Sequence, residues 1–433
     1  MTADGYAGRD ELTVTFTAVV TGDKTGIAYD WDFGDGSPHV TTAAPSHTYS
    51  APGYYTVRLV VSNDAGESYP FTGESMITIL PSTCYVRAVG ESVPTLPYAT
   101  PGTAANSLYD VLSIAPSLID VGEGDIEIGS PCDITQPIVI RGKGPDKTRF
   151  KMVSCDMSQG VCAIYLKNKG AVLADAEIRI DGSCNWGGPI GMTGGLMTNC
   201  VVRGNYSNNL SGVAASGGKI IGCSFLGNTN NYSSICAACI SGGGVVIQNC
   251  RFEDNTSVSS GSALTVNGNY SPVPAVRNCL FTRNRQGGEN AFGVINVSGA
   301  VTIDNCTIVS NGYAVGQRGG GLYVGTGAPA EGVLCRNTLF CGNICGEAVE
   351  DIRAATGKDP VLTACLTGVD PKFKNAGAGN YHLRQSSPCV NAGEALDWMD
   401  GATDLDGEPR IRHGKPDIGC YERRLSGFAI IAR

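Results

Sequence analysis

NCRFEDN, residues 249–255, is the clearest of six related stretches in this chain. All six have an apolar residue at the fourth place and asparagine at the seventh, and five have cysteine at the second. Successive seventh-place asparagines are 23, 27, 29, 27 and 32 positions apart. A short apolar strand that recurs at such a spacing is typical of a solenoid, in which successive coils stack strand on strand. The other stretches are NCVVRGN (199–205), GCSFLGN (222–228), NCLFTRN (278–284), NCTIVSN (305–311) and NTLFCGN (337–343).

The side chains of one unit divide between the interior and the surface. A turn at residues 304–305 would place Val301 and Ile303 inward on one strand, and Cys306 and Ile308 inward on the next, because a strand points every second side chain to one face. We interpret the cysteines as small buried hydrophobic side chains and not as metal or redox ligands. We expect each seventh-place asparagine to lie past the strand end in left-handed backbone, with its amide bonded to its own backbone or to the next coil. The predicted ladder comprises Cys200, Cys223, Cys250, Cys279 and Cys306, and Asn205, Asn228, Asn255, Asn284, Asn311 and Asn343.

The composition is that of a turn-rich β protein. The 433 residues include 59 glycines and 21 prolines, and only 16% are charged. The net charge of −9 argues against nucleic-acid binding, which requires clustered lysine and arginine. No apolar run reaches the roughly 20 residues of a membrane span. The opening MTADGYAGRD lacks the apolar core of a signal peptide, so we expect a mature or shortened form.

Eighteen cysteines indicate an oxidising compartment. We expect disulfides among the cysteines outside the ladder, and closeness in sequence suggests the pairs Cys389–Cys420, Cys155–Cys162 and Cys341–Cys345. Residues 236–239 (CAAC) have zinc-like spacing but no second cysteine pair or nearby histidine, so a disulfide or two buried thiols is favoured there. The cysteines outside the ladder considered for disulfides are Cys84, Cys132, Cys155, Cys162, Cys184, Cys236, Cys239, Cys341, Cys345, Cys365, Cys389 and Cys420.

The first 81 residues contain strand-like runs separated by glycine, proline and aspartate turns, which is the pattern of a β-sandwich. WDFGDGS (31–37), HTY (47–49) and PGYYTV (52–57) together resemble a PKD domain. This resemblance implies an immunoglobulin-like sandwich of the kind found on secreted and surface proteins, where it mostly serves as a spacer or as a module that contacts proteins or sugars.

The residues of the PKD-like motif have physical roles of their own. We expect Trp31 in the core, and Gly34 and Gly36 in a tight hairpin. The aspartates at positions 30, 32 and 35 have the spacing of calcium ligands, but hydrogen-bonded turns are the favoured interpretation.

A helix is predicted at about residues 103–113, capped by Thr103 and with an apolar stripe of Leu108, Val111 and Leu112. Such a helix would cover the exposed first coil of a solenoid. The helix, the strands that follow it and the ladder together resemble bacterial right-handed parallel β-helix repeat proteins of the pectate-lyase-like superfamily. The predicted fold is therefore all-β: a sandwich over residues 1–81, a β-helix solenoid over 84–395 with its capping helix, and a C-terminal cap or tail over 396–433.

The C-terminal residues carry a further resemblance. SPCVNAG (387–393), DLDGEPR (404–410) and DIGCYE (417–422) resemble the terminal segment of secreted bacterial β-helix proteins known as choice-of-anchor Q proteins. Its many turn residues suit a cap that closes the open end of the solenoid. Asp404, Asp406 and Asp417 are the candidate ligands for one structural calcium ion. We expect no other cofactor.

The β-helix resemblance directs attention to polysaccharide chemistry. A glycoside hydrolase requires two converging carboxylates, and the adjacent pair Glu253 and Asp254 would point apart. A lyase requires a base and a cation that neutralises the uronate carboxylate. Arg251, Arg283 and Arg285 would form a basic groove for that purpose, or would simply be solvated side chains on an outer face.

Tyrosines follow several ladder positions, each beside asparagine or glycine in a turn. Aromatic rings along one side of a rigid rod suit stacking on sugar rings, although tyrosines that pack over loops would show the same pattern. The candidate glycan-binding residues are Tyr206, Tyr232, Tyr270 and Tyr313.

Together these features favour a secreted or cell-surface bacterial protein with a non-catalytic role, either adhesion or binding of extracellular polysaccharide or cell-surface glycan. We expect neither nucleic-acid partners nor a membrane span. Two alternatives stay open. One is a polysaccharide lyase or glycoside hydrolase with a PKD accessory module, and the other is a structural stalk or assembly subunit that associates with itself.

Overall fold

The computed structural model describes residues 1–21, 25–152, 162–181, 183–184, 188–207, 210–230, 237–258, 261–287, 292–313, 320–412 and 414–424. Its contacts divide the chain into two units, Met1–Gly122 and Glu123–Arg433. The predicted fold class is confirmed: the chain is nearly all-β, with an immunoglobulin-like domain followed by a β-solenoid of about eight turns.

Two sheets of mainly antiparallel strands form the sandwich of the first unit. The three-stranded sheet contains Thr2–Ala3, Leu12–Thr17 and Ser46–Tyr49, and the four-stranded sheet contains Ala7–Arg9, Ser68–Leu80, Gly53–Ser62 and Ala28–Asp32. Trp31 is fully buried between them, with its ring centroid 5.6 Å from that of Phe16. Gly34 has a left-handed φ of 77°, and an added Cβ there would lie 2.3 Å from the carbonyl oxygen of Thr56, so glycine alone fits this turn.

The aspartates of the PKD-like motif stabilise turns. Asp32 accepts a hydrogen bond from the Gly34 N–H at 2.9 Å, and Asp35 accepts one from the Ser37 N–H at 3.0 Å. The second carboxylate oxygen of Asp35 lies 2.8 Å from Nε2 of His47. These contacts agree with hydrogen-bonded turns in this part of the sandwich.

The predicted helix is present but begins later than expected. The first unit ends with the parallel strands Thr83–Val86 and Leu118–Val121, and between them lie a 3₁₀ turn at Pro101–Thr103 and an α-helix at Leu108–Leu112. Thr103 closes the 3₁₀ turn in a reciprocal capping box with Thr100, and Ala104 then leaves the helical region at ψ 146°. Ser107, whose side chain accepts from the Tyr109 N–H, is therefore the cap of the α-helix.

Three parallel sheets build the solenoid of the second unit. Sheet A contains Gly124–Ile128, Thr148–Met152, Glu177–Ile180, Val201–Arg203, Ser224–Leu226, Arg251–Glu253, Leu280–Thr282, Thr307–Val309 and Leu339–Cys341. Sheet B contains Ser183–Cys184, Tyr206–Ser207, Thr229–Asn230, Thr256–Ser257, Arg285–Gln286 and Gly312–Tyr313. Sheet C contains Cys132–Ile134, Val139–Arg141, Cys162–Leu166, Val172–Ala174, Gly188–Thr198, Val213–Ile221, Ala238–Ile240, Val246–Gln248, Leu264–Val266, Ala275–Arg277, Ile295–Val297, Val301–Asp304, Leu322–Val324, Val333–Arg336, Ile352–Ala354 and Val361–Thr363.

A few shorter elements complete the second unit. The strand pairs Ile344–Cys345 with Ala348–Val349 and Phe373–Asn375 with Asn380–Leu383 are antiparallel hairpins. Two 3₁₀ turns lie at Ala376–Ala378 and Asp397–Met399.

Each repeated stretch turns two corners, and both corners use left-handed backbone. The first corner lies at the first residue of the stretch, such as Asn249 with φ 55°, and the second lies at the sixth, such as Asp254 with φ 58°. The expectation of left-handed backbone at the seventh-place asparagine is therefore wrong, because the corner falls one residue earlier. The seventh residue turns inward instead, and all six of these asparagines are buried.

The buried asparagines form a continuous ladder of amide hydrogen bonds. Oδ1 of Asn255 accepts from both the backbone N–H and the side-chain Nδ2 of Asn228, at 3.1 and 2.9 Å. Nδ2 of Asn255 donates to Oδ1 of Asn284 at 2.8 Å and to the carbonyl of Phe225 at 2.9 Å. At the end of the ladder, Oδ1 of Asp351 takes the place of the next amide and accepts two bonds from Asn343. From Asn228 onward the ladder thus satisfies buried polar groups from coil to coil, whereas Nδ2 of Asn205 at its start has no hydrogen-bond partner among the described residues.

Two apolar columns accompany the amide ladder. Phe225, Phe252 and Phe281 stack with centroids 4.7 Å apart and rings within 5° of parallel. The second-place cysteines are buried, and each thiol donates to the carbonyl two residues earlier, as Cys250 does to Gln248 at 3.2 Å. Thr338 makes the corresponding bond with its hydroxyl at 3.0 Å, which explains why threonine fits this place.

The C-terminal residues do not serve mainly to close the solenoid's end, as the sequence suggested. Residues 373–412 and 414–424, which we call the lateral cover, pack on the outer face of sheet A across its last three coils and reach Arg251 on the coil before them. Their apolar side chains cover Leu280, Val309 and Leu339, which point outward from the sheet. Arg410 is fully buried there and donates to Asn278 at 2.9 Å. The outward apolar side chains of these coils supply the physical reason, since they need burial along the side of the solenoid.

We expect Asn255→Ala to lower the free energy of unfolding of the solenoid by about 3 kcal/mol or more, because it removes the acceptor of two buried Asn228 hydrogen bonds and the side-chain donor to the Phe225 carbonyl. Urea unfolding monitored by far-ultraviolet circular dichroism measures the change. Glu127→Ala, at an exposed strand position, is the control and should alter stability by less than about 0.5 kcal/mol. Equal effects of the two substitutions would show that the ladder does not stabilise the fold.

Candidate functional site

The first coils of sheet A carry ion pairs on their outer face. Arg149 binds Asp125 at 2.8 Å and Glu177 at 3.0 Å. Lys151 binds Asp181 at 2.9 Å, and this hydrogen bond holds the pKa of the Asp181 carboxyl below its usual value. This part of the sheet is solvated and charged, in contrast to the apolar coils beneath the lateral cover.

Three cations follow one another in an outward column of sheet A, which we call the basic column: Lys151, Arg179 and Arg203. Lys151 lies directly beside Arg179, and the register of the following strand pair continues the column to Arg203. Asp181 contacts the first two, at 2.9 and 4.0 Å. Arg203 is exposed, and no ion pair of its guanidinium is found within the described part of the chain. Like charges on adjacent strands, about 4.8 Å apart, repel one another and favour a bound anion.

Tyr206 borders the basic column. It lies three positions after Arg203, beyond the corner formed by Gly204 with φ 62°, and its side chain is 40% exposed. Along sheet B, its register column continues through Thr229 and Thr256 to Arg285. One coil therefore presents a guanidinium and an aromatic ring on the two sides of a single corner.

The other candidate tyrosines do not share this column. Tyr270 lies in the connection between two strands of sheet C, and Tyr313 is paired through its backbone with Gln286, in the column of sheet B next to that of Tyr206. Tyr232 lies outside the described residues. Among the candidate tyrosines that the structure describes, Tyr206 lies at the edge of the charged face.

The three candidate arginines of a lyase do not converge on one free site. Arg283 binds Asp254 at 3.0 Å and Glu253 at 2.8 Å, and the hydrogen bond with Asp254 raises the pKa of its guanidinium above the ordinary value. Arg251 lies 3.8 Å from Glu253. Arg285 projects from sheet B. A general base must release its proton near neutral pH, which the ion-paired Arg283 does not do.

His382 is part of a cluster that sequence reasoning missed. Its Nε2 lies 2.5 Å from Asp406, and its ring stacks on that of Tyr421 with centroids 4.3 Å apart. The guanidinium of Arg251 lies 5.8 Å from the same tyrosine ring and 3.8 Å from Asp406. This cluster fastens the lateral cover to sheet A. No local sequence signal joins His382 to Arg251, since only the folded register brings them together.

The candidate calcium ligands are occupied by protein donors. The Asp404 carboxylate accepts from the backbone N–H groups of residues 406, 408 and 422, and that of Asp417 accepts from those of residues 391 and 423. Asp406 binds His382 and Arg424. Among the described residues, no group of three or more histidine, cysteine, aspartate or glutamate side chains is arranged to hold a metal ion. A structural calcium ion stays a sequence prediction.

The thiols differ from the expected disulfides. Cys389 and Cys420 are both free, and so is Cys341, so the suggested pairs Cys389–Cys420 and Cys341–Cys345 are wrong. Burial in the packed cover raises the pKa of the Cys389 and Cys420 thiols to about 12. The pair Cys155–Cys162 includes a residue outside the described part of the chain. Cys365, expected in a disulfide, instead bonds like a ladder cysteine, to carbonyls of Cys335 and Thr363.

Comparison with known proteins identifies the two parts of the chain. Residues 3–69 match the PKD domain family, and residues 140–339 match the right handed beta helix region family. The chain therefore consists of a PKD domain followed by a right-handed β-helix. No helix in the described part of the chain is long and apolar enough to cross a membrane.

Solved structures and curated proteins extend this comparison. The fold is similar to that of pectate lyase Pel9A, with a TM-score of 0.50 and 14% identity over 79% of this chain and 96% of the lyase chain. The catalytic unit of a thermostable GH87 α-1,3-glucanase from Streptomyces thermodiastaticus aligns with a TM-score of 0.23 and 12% identity over 83% of this chain and 86% of its own. Forty residues are 55% identical to human polycystin-1, a match that spans 9% of this chain and 1% of that protein. At 14% identity, the likeness to the lyase shows the fold alone.

We expect the buried thiols to resist modification in the folded protein, because reaction requires an accessible thiolate and burial raises the pKa of Cys239, Cys389 and Cys420 to about 12. Mass spectrometry after treatment with iodoacetamide at neutral pH should find these three unmodified, and fully modified once urea is added. A disulfide-linked peptide containing Cys389 and Cys420 in the non-reduced digest would contradict the structure.

Proposed function

We propose that this protein binds an acidic extracellular glycan without catalysis, on the outer face of the early coils of the solenoid. The basic column of Lys151, Arg179 and Arg203 carries this proposal, because it presents three cations in a row. The nearby carboxylates are those of Asp181, which contacts Lys151 and Arg179, and of Glu127, which lies beside Lys151 at one end of the column. Tyr206 supplies an exposed ring at its border.

The chemistry of such a face suits a polymer with repeated carboxylates. Guanidinium groups bind carboxylates through paired, charge-assisted hydrogen bonds, and an aromatic ring stacks on the apolar face of a sugar. The strands repeat at about 4.8 Å, so the cations form a regular track along the solenoid. The lateral cover occupies the same sheet from Leu280 onward and confines the proposed face to the coils before it.

Non-catalytic binding agrees best with the state of the candidate catalytic groups. Glu253 and Asp254 are both bound to Arg283, so neither is poised as an acid or base. The lyase alternative therefore needs a base other than these arginines. The PKD domain, a type found on secreted and surface proteins, supports an extracellular or cell-surface location.

Neutralising the basic column should weaken glycan binding. We expect a variant with Lys151→Gln, Arg179→Gln and Arg203→Gln to bind polygalacturonate at least tenfold more weakly than the parent, and binding by the parent to weaken as salt is added. Affinity electrophoresis and isothermal titration calorimetry measure both effects, with a neutral glucan for comparison.

A matched variant distinguishes the effect of the proposed site on binding from the effect of the protein's net charge. Arg58→Gln, Lys169→Gln and Lys219→Gln remove the same charge from exposed positions elsewhere and should leave binding unchanged. Equal losses in the two variants would overturn the proposed site. Release of unsaturated uronate ends, followed by ultraviolet absorbance during the same incubation, would replace the binding proposal with a lyase.

A further inference from the structure

A polar cavity of about 400 Å³ opens in the C-terminal region, away from the basic column. This volume lies within the range of small-molecule pockets. Its walls come from one loop and one hairpin, and its lining residues are Asp370, Lys372, Phe373, Ala376, Arg384 and Ser386.

The backbone at Lys372, one of the two cations of this cavity, is held in place by hydrogen bonds. Lys372 adopts a left-handed φ of 55°, which is uncommon for a long side chain. Its N–H donates to Asp370 at 2.8 Å, and its carbonyl accepts from the N–H of Arg384 at 3.0 Å. Backbone in such a sparsely populated region persists where the surrounding structure imposes it, and it occurs often at ligand sites.

Arg384 is fixed at both its backbone and its side chain. Its guanidinium donates from Nε to the carbonyl of Phe373 at 2.9 Å and from Nη2 to that of Lys374 at 3.0 Å. Both bonds leave Nη1 without a partner within the described part of the chain. Likewise, neither the Lys372 ammonium nor the Ser386 hydroxyl has a hydrogen-bond or ion-pair partner among the described residues.

The hairpin beneath the cavity is rigidly anchored. Phe373 and Tyr381 are buried and their rings meet edge to face at 5.3 Å, and the Tyr381 hydroxyl lies 2.7 Å from that of Thr282 in sheet A. The hairpin beneath the cavity is therefore held in place, so binding would order only the exposed side chains that line it.

We propose that this cavity binds a small organic anion through its carboxylate, with Lys372 and the open nitrogen of Arg384 as the charged contacts and Ser386 as a hydrogen-bond donor. Two cations against one aspartate leave a single positive charge, which matches one carboxylate. The cavity is far larger than the roughly 30 Å³ that one water molecule occupies in the liquid, so it has room for an anion with a body, such as the ring of a sugar acid. This site is independent of the glycan-binding face proposed above.

Ligand-observed NMR and calorimetry on the full chain test the proposal with galacturonate, glucuronate, galactose and inorganic phosphate as probes. We expect the two sugar acids to bind and galactose to bind at least tenfold more weakly. Lys372→Asn should reduce sugar-acid affinity at least tenfold while preserving the fold, since asparagine tolerates left-handed backbone. Ser386→Ala should reduce it by a smaller factor.

Lys374→Asn is the matched control, because this neighbouring lysine is exposed but does not line the cavity. It should leave affinity unchanged. Equal binding of galactose and galacturonate, or equal effects of the Lys372 and Lys374 substitutions, would overturn the proposal. Tight binding of phosphate together with loss of discrimination between sugar acid and galactose would overturn the carboxylate assignment in favour of a bare-anion site.

Discussion

The amide ladder is the constraint on which the rest of the solenoid depends. From Asn228 onward, each buried asparagine bonds the amide and the backbone of its neighbours, so a coil that slipped by one residue would leave several polar groups buried without partners. Such groups cost about 1–3 kcal/mol each. The stacked phenylalanines add attraction but little specificity, because apolar contacts tolerate displacement. Register is therefore set by hydrogen bonds, and the apolar columns follow it.

A fixed register converts a one-dimensional repeat into columns of outward side chains. Lys151, Arg179 and Arg203 become neighbours only because each holds the same place in its coil. The same rule gathers Leu280 and Leu339 into an apolar surface farther along sheet A, which the lateral cover buries. The outer face of sheet A is thus charged over its early coils and apolar over its later ones. The boundary between these two regions lies near the cluster of Arg251, His382 and Asp406. Function on this scaffold is decided by which outward columns stay uncovered.

The sequence predicts the fold well because the ladder imposes residue types as well as polarity. The sequence is less informative about a coil in which other residue types take the places of the repeated cysteine and asparagine. The coil at residues 175–181 has Asp175 at its left-handed corner and Ala176 in place of cysteine, and it lacks the asparagine, so it escaped notice. Ala364 and Cys365 likewise continue the series beyond its last asparagine. The basic column escaped notice for a different reason, since adjacency across coils depends on register and not on closeness in sequence.

Free thiols change the interpretation of the cysteines and of the compartment. Burial alone accounts for the ladder cysteines, whose thiols donate to backbone carbonyls, and Thr338 shows that the place requires a small donor and not sulfur chemistry. Cys389 and Cys420 lie in the core of the lateral cover in the same reduced state. The cysteines that the structure describes as free therefore give no independent support for an oxidising environment. The proposed extracellular location rests instead on the PKD domain and on a charged outer face suited to acidic glycan.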